Sequence, residues 1–208
     1  WKMLVATTSP IMLIEALAIK LEDGGPVFFK QPRVTKDGAI FQVLKFRTMI
    51  VDADKNKKRL ASQDDDRITK VGRIVRKLRI DELPQFINIL KGEMSVVGPR
   101  PEQAEITEKY VEVLPEFRYR LKVKAGLTGL AQILGKYNTT PKDKLILDLI
   151  YIEQYSIWVD LKLMLQTVKV LFKSDSTEGV IGELPIDLEK HREELFGPED
   201  PSKEENQE

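Results

Sequence analysis

The feature that most constrains the fold is a junction between two amphipathic segments, where a basic stretch ends and two carboxylates follow. Residues 67–79 contain six Lys or Arg and no Asp or Glu. Apolar residues recur there at helical spacing after Thr69, a candidate N-cap, and the same spacing returns in residues 83–90. We predict one helix that ends near Arg79 and a second from about Glu82 to Gly92, with Pro84 tolerated in its first turn.

This junction places Asp81 at or beside the N-cap of the second helix and Glu82 in its first turn. A helix N-terminus carries partial positive charge, so it favours an ionised carboxylate and also attracts phosphate. An ionised carboxylate beside a cluster of Arg and Lys suits attack on a phosphoryl group. An ordinary N-cap residue shows the same sequence pattern. Position alone favours the interpretation of Asp81 as an N-cap, because Asp is a preferred N-cap residue.

Basic residues on both sides of the junction supply candidate phosphate ligands. Downstream, Gly-Pro-Arg-Pro at residues 98–101 fixes φ on both sides of Arg100 and so aims its guanidinium. Upstream, residues 41–49 alternate as a strand does, which puts Lys45 and Arg47 on one face. The charge of a diphosphate substrate has to be offset, and Arg76 and Arg79 complete the set of candidates. For Arg47 and Arg79, a role as surface or core-edge charges is the alternative.

Composition narrows the chemistry further. The chain has no Cys and a single His, His191 in a charged tail, which leaves carboxylates, hydroxyls and lysines for catalysis. One carboxylate plus substrate phosphates is the usual way in which Mg²⁺ is held, so Glu82 has a separate candidate role as a metal ligand. The acidic run at residues 64–66 is expected to face solvent rather than to bind a metal.

The N-terminal segment indicates membrane contact. Residues 3–19 form a 17-residue, largely apolar stretch that is interrupted at Ser9-Pro10 and by Glu15. A clean spanning helix needs about 20 apolar residues, and Pro10 removes a helix hydrogen bond, so we predict a bent, re-entrant element. Glu15 is expected to face protein or lipid headgroups. A second apolar face, around Trp158 in residues 157–172, belongs either to the core or to a membrane interface.

Charge is distributed unevenly along the chain. Residues 1–124 hold 24 Lys and Arg against 17 Asp and Glu, whereas residues 125–208 hold 9 against 16, giving net charges of +7 and −7. The basic half suits an anionic membrane surface and a phosphate-bearing substrate, and a merely solvated charge pattern is the alternative.

The remaining pattern predicts a hairpin and several helices. Strands are expected over residues 27–31 and 39–46, with a turn at residues 36–38. Helical stretches are expected over residues 102–113, 115–120, 143–155 and 157–172, and a glycine-containing loop over residues 122–129. Residues 174–208 are expected to form an acidic, largely disordered tail.

Together these segments resemble the catalytic domain of the bacterial phosphoglycosyl transferases that initiate glycan assembly on polyprenyl phosphate. The matching stretches are Ser9-Pro10 and residues 23–29, 44–49, 79–85, 94–101 and 126–129, in family order. Ala125 departs from the family, which usually has Pro there. The resemblance implies a helix-dominated α/β (α+β) fold with a small antiparallel hairpin, a re-entrant membrane helix and interfacial amphipathic helices. The regions would be residues 1–22 (membrane), 23–173 (catalytic) and 174–208 (tail).

The resemblance also implies an activity. Asp81 would attack the sugar-bearing phosphate of a UDP-sugar, release UMP and form a covalent phosphosugar intermediate, which polyprenyl (undecaprenyl) phosphate then accepts. Glu82 would hold Mg²⁺, while Arg76, Arg100 and Lys45 would bind phosphate. This chemistry belongs to exopolysaccharide, capsule, O-antigen or glycoconjugate assembly at the cytoplasmic face of the bacterial inner membrane. No nucleic-acid partner is implied, and a homo-oligomer is left open.

Two other classes of function remain from the residues themselves. A hydrolase that cleaves nucleotide sugars would use the same two carboxylates and metal, but it has no need of the apolar segment broken at Ser9-Pro10. A non-catalytic scaffold on a membrane surface would need the apolar segments, but not the carboxylate pair together with Lys45 and Arg100.

Overall fold

The structure is a computed structural model that describes residues 2–51, 53, 65–135 and 140–171. It is a mixed α/β fold dominated by helices, as the sequence predicts. Its helices are α1 (Lys2–Asp23), α2 (Lys70–Lys77), α3 (Gln85–Leu90), α4 (Ala104–Val113), α5 (Leu130–Leu134), α6 (Pro141–Glu153) and α7 (Ile157–Leu171). Its strands are β1 (Phe28–Val34), β2 (Ile40–Phe46), β3 (Ser95–Val97) and β4 (Gly126–Thr128), and 3₁₀ turns cover Lys36–Gly38, Ile80–Glu82 and Pro115–Lys122. The predicted tail, residues 174–208, lies outside the described residues.

The antiparallel hairpin of β1 and β2 is confirmed, with Phe28 opposite Phe46 at its open end. The turn uses left-handed backbone at Asp37 (φ 56°) and Gly38 (φ 78°), a conformation that Asp and Gly tolerate better than other residues. Alternate residues of β2 point inward, as a half-buried strand requires. They pack against α3 and the start of β3 in a small core of Phe41, Val43, Ile89 and Met94.

A second, parallel pair of strands joins β3 to β4, which the sequence analysis described as a loop. That prediction is wrong for residues 126–128. The pairing depends on close backbone contact, because a Cβ built on Gly126 would lie 2.1 Å from the backbone nitrogen of Gly98. Glycine at both positions lets the two chain segments approach more closely than side chains would allow.

The larger core lies between α5, α6, α7 and β3. Its buried members are Val97, Leu130, Ile133, Ile146, Ile150, Tyr151 and Leu163. The apolar face of α7 is therefore partly core, as one of the two interpretations held. Its opposite side remains exposed, with Trp158 at 73% and Leu165 at 67% exposure. Contact of that side with a membrane stays a prediction.

Helix α1 continues through Ser9 and Pro10 without a break in the helical assignment. It packs against α2 and α3, while Leu13, Ile14, Leu17 and Leu21 on its outer side are more than half exposed. Among the residues that the structure describes, no helix combines the length and the apolar character needed to cross a bilayer. The re-entrant topology of this segment therefore remains a prediction.

The junction between the two amphipathic segments differs from the prediction at its second helix. Helix α2 begins as expected, with the Thr69 hydroxyl accepting a hydrogen bond from the backbone N–H of Gly72 at 2.9 Å. The chain then takes a left-handed turn at Arg79 (φ 54°) and a 3₁₀ turn before the shorter α3 begins. Pro84 occupies the N-cap position of α3, and it has no capping side chain. The prediction that Asp81 is at or beside that N-cap is therefore wrong.

The acidic run at residues 64–66 is only partly described, and Asp65 contradicts its predicted exposure. Asp65 is 2% exposed, and its Oδ2 atom accepts from Nη2 of Arg67 at 2.6 Å. The guanidinium of Arg67, two residues further along the chain, offsets the cost of burying this carboxylate. Asp64 lies outside the described residues.

Candidate active site

Glu82 is the centre of a cluster of opposite charges. Its Oε1 atom accepts hydrogen bonds from Nζ of Lys45 at 2.7 Å and from Nη2 of Arg100 at 3.0 Å. Burial raises the pKa of Glu82, but the charges and hydrogen bonds of Arg100 and Lys45 outweigh burial and bring the pKa down to about 2. The Glu82 carboxylate is therefore ionised at neutral pH.

Asp81 is half-buried beside this cluster and has a different electrostatic environment. Desolvation raises the pKa of its carboxyl group, and the negative charge of Glu82 acts in the same direction. Lys45 and Arg76 act in the opposite direction without cancelling the rise. Two neighbouring carboxyl groups thus have pKa values pushed apart, a pattern that marks distinct chemical roles at many active sites.

Strand β2 brings Lys45 to Glu82, and Asn88 fixes the strand in place. The Asn88 side chain is 1% exposed, accepts from the backbone N–H of Leu44 at 3.0 Å, and donates to the carbonyl of Gln42 at 2.8 Å. Because Asn88 is on α3, these bonds set the register of β2 against the turn that carries Glu82. Asn88 was not among the residues predicted from the sequence. The feature of the sequence that could have indicated Asn88 is an amide side chain inside an otherwise apolar run. A buried amide needs hydrogen-bond partners.

Arg100 is held through its backbone as well as by the flanking prolines. Its carbonyl oxygen accepts from Nη2 of Arg120 at 2.9 Å, and Arg120 in turn pairs with Asp148 at 2.7 Å. The backbone N–H of Gly126 donates to the carbonyl of Pro99 at 2.8 Å. Arg120 and Asp148 were not among the residues predicted from the sequence. The available signal is a lone Asp within an apolar stretch of α6.

The other predicted phosphate ligands divide into one that lies near the carboxylates and two that do not. Arg76 influences the pKa of Asp81, and its Nε atom donates to the Thr48 hydroxyl at 2.8 Å, which orients the guanidinium. Arg79 is exposed, and among the described residues the ion pairs of Glu82 are with Lys45 and Arg100 and not with Arg79.

Arg47 is directed away from the carboxylate pair. It is buried against the end of α1, where Nη1 donates to Oδ2 of Asp23 at 2.6 Å and Nε donates to the carbonyl of Pro26 at 2.6 Å. The structure thus places Arg47 in its alternative role as a core-edge charge, connecting α1 to β2. It does not bring Arg47 together with Lys45, although the sequence pattern puts both on one strand face.

Glu82 is the described side chain that suits Mg²⁺ at this site. Glu82 offers an ionised carboxylate, and Mg²⁺ in enzymes of phosphate chemistry is commonly held by one or two carboxylates plus substrate phosphates. Across the described ranges, no group of three or more His, Cys, Asp or Glu side chains converges into an all-protein metal cage. Substrate phosphates would have to complete the coordination.

The arrangement can position a phosphate-bearing substrate against a carboxylate. Lys45, Arg76 and Arg100 supply positive charge, and Asp81 places a half-buried carboxyl group beside them. Attack by a carboxylate on phosphorus needs this combination, because the phosphate charge otherwise repels the nucleophile.

Comparison with known proteins identifies the family of this chain. A family model described as bacterial sugar transferase matches residues 2–174. A Caulobacter vibrioides protein named UDP-glucose:undecaprenyl-phosphate glucose-1-phosphate transferase is 44% identical over 179 residues, which are 84% of this chain and 67% of that protein. An Aeromonas hydrophila UDP-N-acetylgalactosamine-undecaprenyl-phosphate N-acetylgalactosaminephosphotransferase is 42% identical over 166 residues, 78% of this chain and 39% of that protein.

A third relative matches this chain over most of its own length. The Bacillus subtilis protein named uncharacterized sugar transferase EpsL is 41% identical over 175 residues, which cover 84% of both chains. The family model spans most of this chain, including the junction with Asp81 and Glu82 and the turn with Arg100. On this evidence the chain belongs to the bacterial sugar transferase family.

Proposed function

We propose that this chain transfers a sugar phosphate from a UDP-sugar to undecaprenyl phosphate through a covalent intermediate on Asp81. The observation that carries the proposal is the double ion pair of Glu82 with Lys45 and Arg100, which gathers two cations one residue away from Asp81. The names of the relatives support the class of donor and of acceptor. The reaction would be the first membrane step of exopolysaccharide or glycoconjugate assembly.

In the first step, a carboxylate oxygen of Asp81 attacks the phosphorus that bears the sugar. The bond between that phosphorus and the bridging oxygen of the diphosphate breaks, and UMP leaves with the bonding electrons. Lys45, Arg76 and Arg100 offset the charge that develops on the phosphoryl oxygens. Desolvation makes the Asp81 carboxylate more basic than one in water, which favours bond formation once it is ionised.

In the second step, a phosphate oxygen of the acceptor attacks the same phosphorus atom. The bond between phosphorus and Asp81 breaks, and the carboxylate is regenerated. The product carries a diphosphate between the lipid and the sugar. The same cations serve both steps, since each step moves one phosphoryl group between two oxygen atoms at one place.

Mg²⁺ is the cofactor that we propose, with Glu82 as its protein ligand and substrate phosphates as further ligands. The ion would supply additional positive charge to the phosphate oxygens. In the chain itself, Glu82 also orients Lys45 and Arg100 through its Oε1 atom. Loss of Glu82 should therefore disturb both cationic side chains.

Mass spectrometry tests the central step directly. The chain is incubated in detergent with a panel of UDP-sugars and no acceptor, and the peptide that contains Asp81 should gain the mass of the sugar phosphate while UMP appears. Asp81→Asn should abolish both signals, because the amide cannot form an acyl phosphate, and Asp37→Asn is the matched control at an exposed turn. An active Asp81→Asn variant, or an adduct on another residue, would refute the mechanism.

Addition of undecaprenyl phosphate separates a transferase from a hydrolase. A transferase should pass its adduct to the lipid and release UMP repeatedly only when the acceptor is present. A nucleotide-sugar hydrolase should produce free sugar phosphate continuously without the lipid, and this outcome would establish the hydrolase instead.

We also propose that the chain works at the cytoplasmic face of the bacterial inner membrane, with α1 and α7 in contact with lipid. Their exposed apolar side chains support this, since a water-facing surface gains nothing from such a patch. Replacing Leu13 and Leu17 by Glu should release the chain from nanodiscs. Retention of that variant at the wild-type level would contradict the role of α1.

A further inference from the structure

Three acidic residues of α1 face the rest of the domain, and two of them have evident structural partners. The Glu22 carboxylate accepts backbone N–H bonds from the first turn of α2 at 2.8 and 3.3 Å. Asp23 binds the guanidinium of Arg47. Both carboxylates attach α1 to neighbouring elements, and each is satisfied by a donor on those elements.

Glu15 differs from both of these residues. It lies two turns before Glu22, is only 6% exposed, and shares its inward face with the buried Ile19. Neither of its carboxyl oxygens has a hydrogen-bond partner within the part of the chain that the structure describes. Glu15 therefore does not attach α1 to anything that the described residues contain.

The charged neighbour that acts on Glu15 is Asp81. Helix α1 packs against α2, whose charged side chains are all basic, and against α3, which has no titratable side chain. Burial, followed by the negative charge of Asp81, raises the pKa of Glu15 to about 7. Both effects disfavour the ionised form, so the carboxyl group keeps its proton into the neutral range.

A carboxyl group in this position does not help the chain to fold. Burying a polar group without a partner costs free energy, and an aliphatic side chain such as that of Ile19 would fill the same space without that cost. Titratable groups whose pKa is strongly shifted by burial and by a specific charged neighbour cluster at functional sites. The group that arrives at Asp81 during the proposed reaction is a phosphoryl group.

We propose that Glu15 is a further residue of the catalytic site, where its carboxyl group donates a hydrogen bond to an oxygen of the phosphoryl group held at Asp81. The inference rests on the proposed function. It deepens that function by giving the N-terminal helix a direct part in the chemistry. Arg76, Lys45 and Arg100 approach from α2, β2 and the turn after β3, whereas Glu15 approaches from α1.

A neutral carboxylic acid suits this role better than a carboxylate. An ionised Glu15 would repel both Asp81 and the phosphoryl oxygens, whereas the acid form has an O–H donor. A carboxylic acid kept neutral by an apolar environment can serve as a hydrogen-bond donor to developing negative charge. Approach of the phosphoryl charge further stabilises the protonated form, so substrate and proton bind cooperatively.

Two substitutions separate a donor from a packing residue. Glu15→Gln keeps the shape and an N–H donor, so we expect activity within about fivefold of wild type. Glu15→Leu fills the space without a donor, so the rate of adduct formation and UMP release should fall by about 100-fold. The Leu variant should unfold at the same or a higher temperature than wild type. Ile19→Leu, one turn later on the same face, is the matched control and should resemble wild type in both assays.

The pH profile adds a measurement that a packing role would not change. Wild-type kcat/KM, which reports the substrate-free chain, should decline as pH rises through about 7, whereas the Gln variant, which has no proton to lose, should not show this decline. A Leu variant within about threefold of wild type would overturn the inference, and so would a Gln variant as slow as the Leu variant. If Glu15→Leu does not fold, an identical decline in wild type and Gln variant would overturn it. An active Asp81→Asn variant would instead refute the proposed function on which the inference rests.

Discussion

The buried ion pair of Arg120 and Asp148 allows a quantitative test of how Arg100 is positioned. Arg120 is 3% exposed and Asp148 is 1% exposed, and the Nη2 atom of Arg120 lies 2.7 Å from Oδ2 of Asp148. Replacing Asp148 by Leu removes the close partner of the buried guanidinium and leaves only Glu102, whose Oε1 atom lies 3.9 Å from Nη1, among the described carboxylates that pair with it. Removal of one partner of such a pair typically costs about 3–5 kcal/mol, a large part of the roughly 5–15 kcal/mol that stabilises a whole domain.

A double variant separates stability from function. Arg120→Met with Asp148→Leu replaces the pair by apolar side chains of similar length, which is often neutral for stability, so the free energy of unfolding should return to within about 1 kcal/mol of wild type. The hydrogen bond from Arg120 to the carbonyl of Arg100, 2.9 Å long in the wild type, is nevertheless lost. A small displacement of a positioning residue can cost about 100-fold in rate, so we expect UMP release to fall by about 10- to 100-fold.

The assays are urea unfolding in a mild detergent and UMP release from a UDP-sugar. Arg118→Met is the matched control, because Arg118 is an exposed arginine of the same 3₁₀ segment whose Nε atom donates to the nearby carbonyl of Pro115. It should change stability by less than about 0.5 kcal/mol. A double variant that is stable and fully active would refute the positioning role of Arg120. A loss below about 1 kcal/mol for Asp148→Leu alone would refute the assumed cost of removing the close partner of Arg120.

Arg100, Glu15 and Gly126 each allow a further test. Arg100→Lys should lower kcat/KM for the UDP-sugar by about 10- to 100-fold. An ammonium cannot form a bidentate contact with phosphate while it also binds Glu82. Near-full activity would show that Arg100 acts only as a turn residue. Because the pKa of Glu15 is raised from 4.5 to about 7 on folding, the native state binds the extra proton, so stability should fall as pH rises between about 4.5 and 7. The loss should reach about 1–3 kcal/mol after allowance for solvent screening, and Glu15→Gln should remove this slope in unfolding experiments. Gly126→Ala should destabilise the chain by about 1–3 kcal/mol in urea, because the new Cβ meets the backbone of Gly98, and an unchanged midpoint would contradict that contact.

Much of the local structure could be predicted from the sequence. Helical spacing and Thr69 located α2, alternation and a Gly-containing turn located the hairpin, and the ordered motifs indicated the family. Each of these features depends on residues close together in the chain. Short-range preferences of backbone and side chain are sufficient to decide them.

Local reasoning was less successful where the chain changes direction. The sequence predicted that Asp81 lay at or beside the N-cap of the second helix, but Arg79 adopts a left-handed conformation and a 3₁₀ turn separates Asp81 from α3. Spacing alone did not reveal this turn, because Asp and Glu occur in both settings. The strand at residues 126–128 was missed for a related reason, since it forms only against β3.

The candidate site itself was decided by tertiary structure. The pairing of Glu82 with Lys45 joins residues 37 positions apart, and its pairing with Arg100 spans 18 positions. Lys45 and Arg47 share one face of a strand in the sequence pattern, yet Lys45 reaches Glu82 whereas Arg47 binds Asp23 at the end of α1. The sequence determined which charged groups are present, but burial and long-range partners decide what each group does, because the energy of a charge depends on the dielectric and the counter-charges around it.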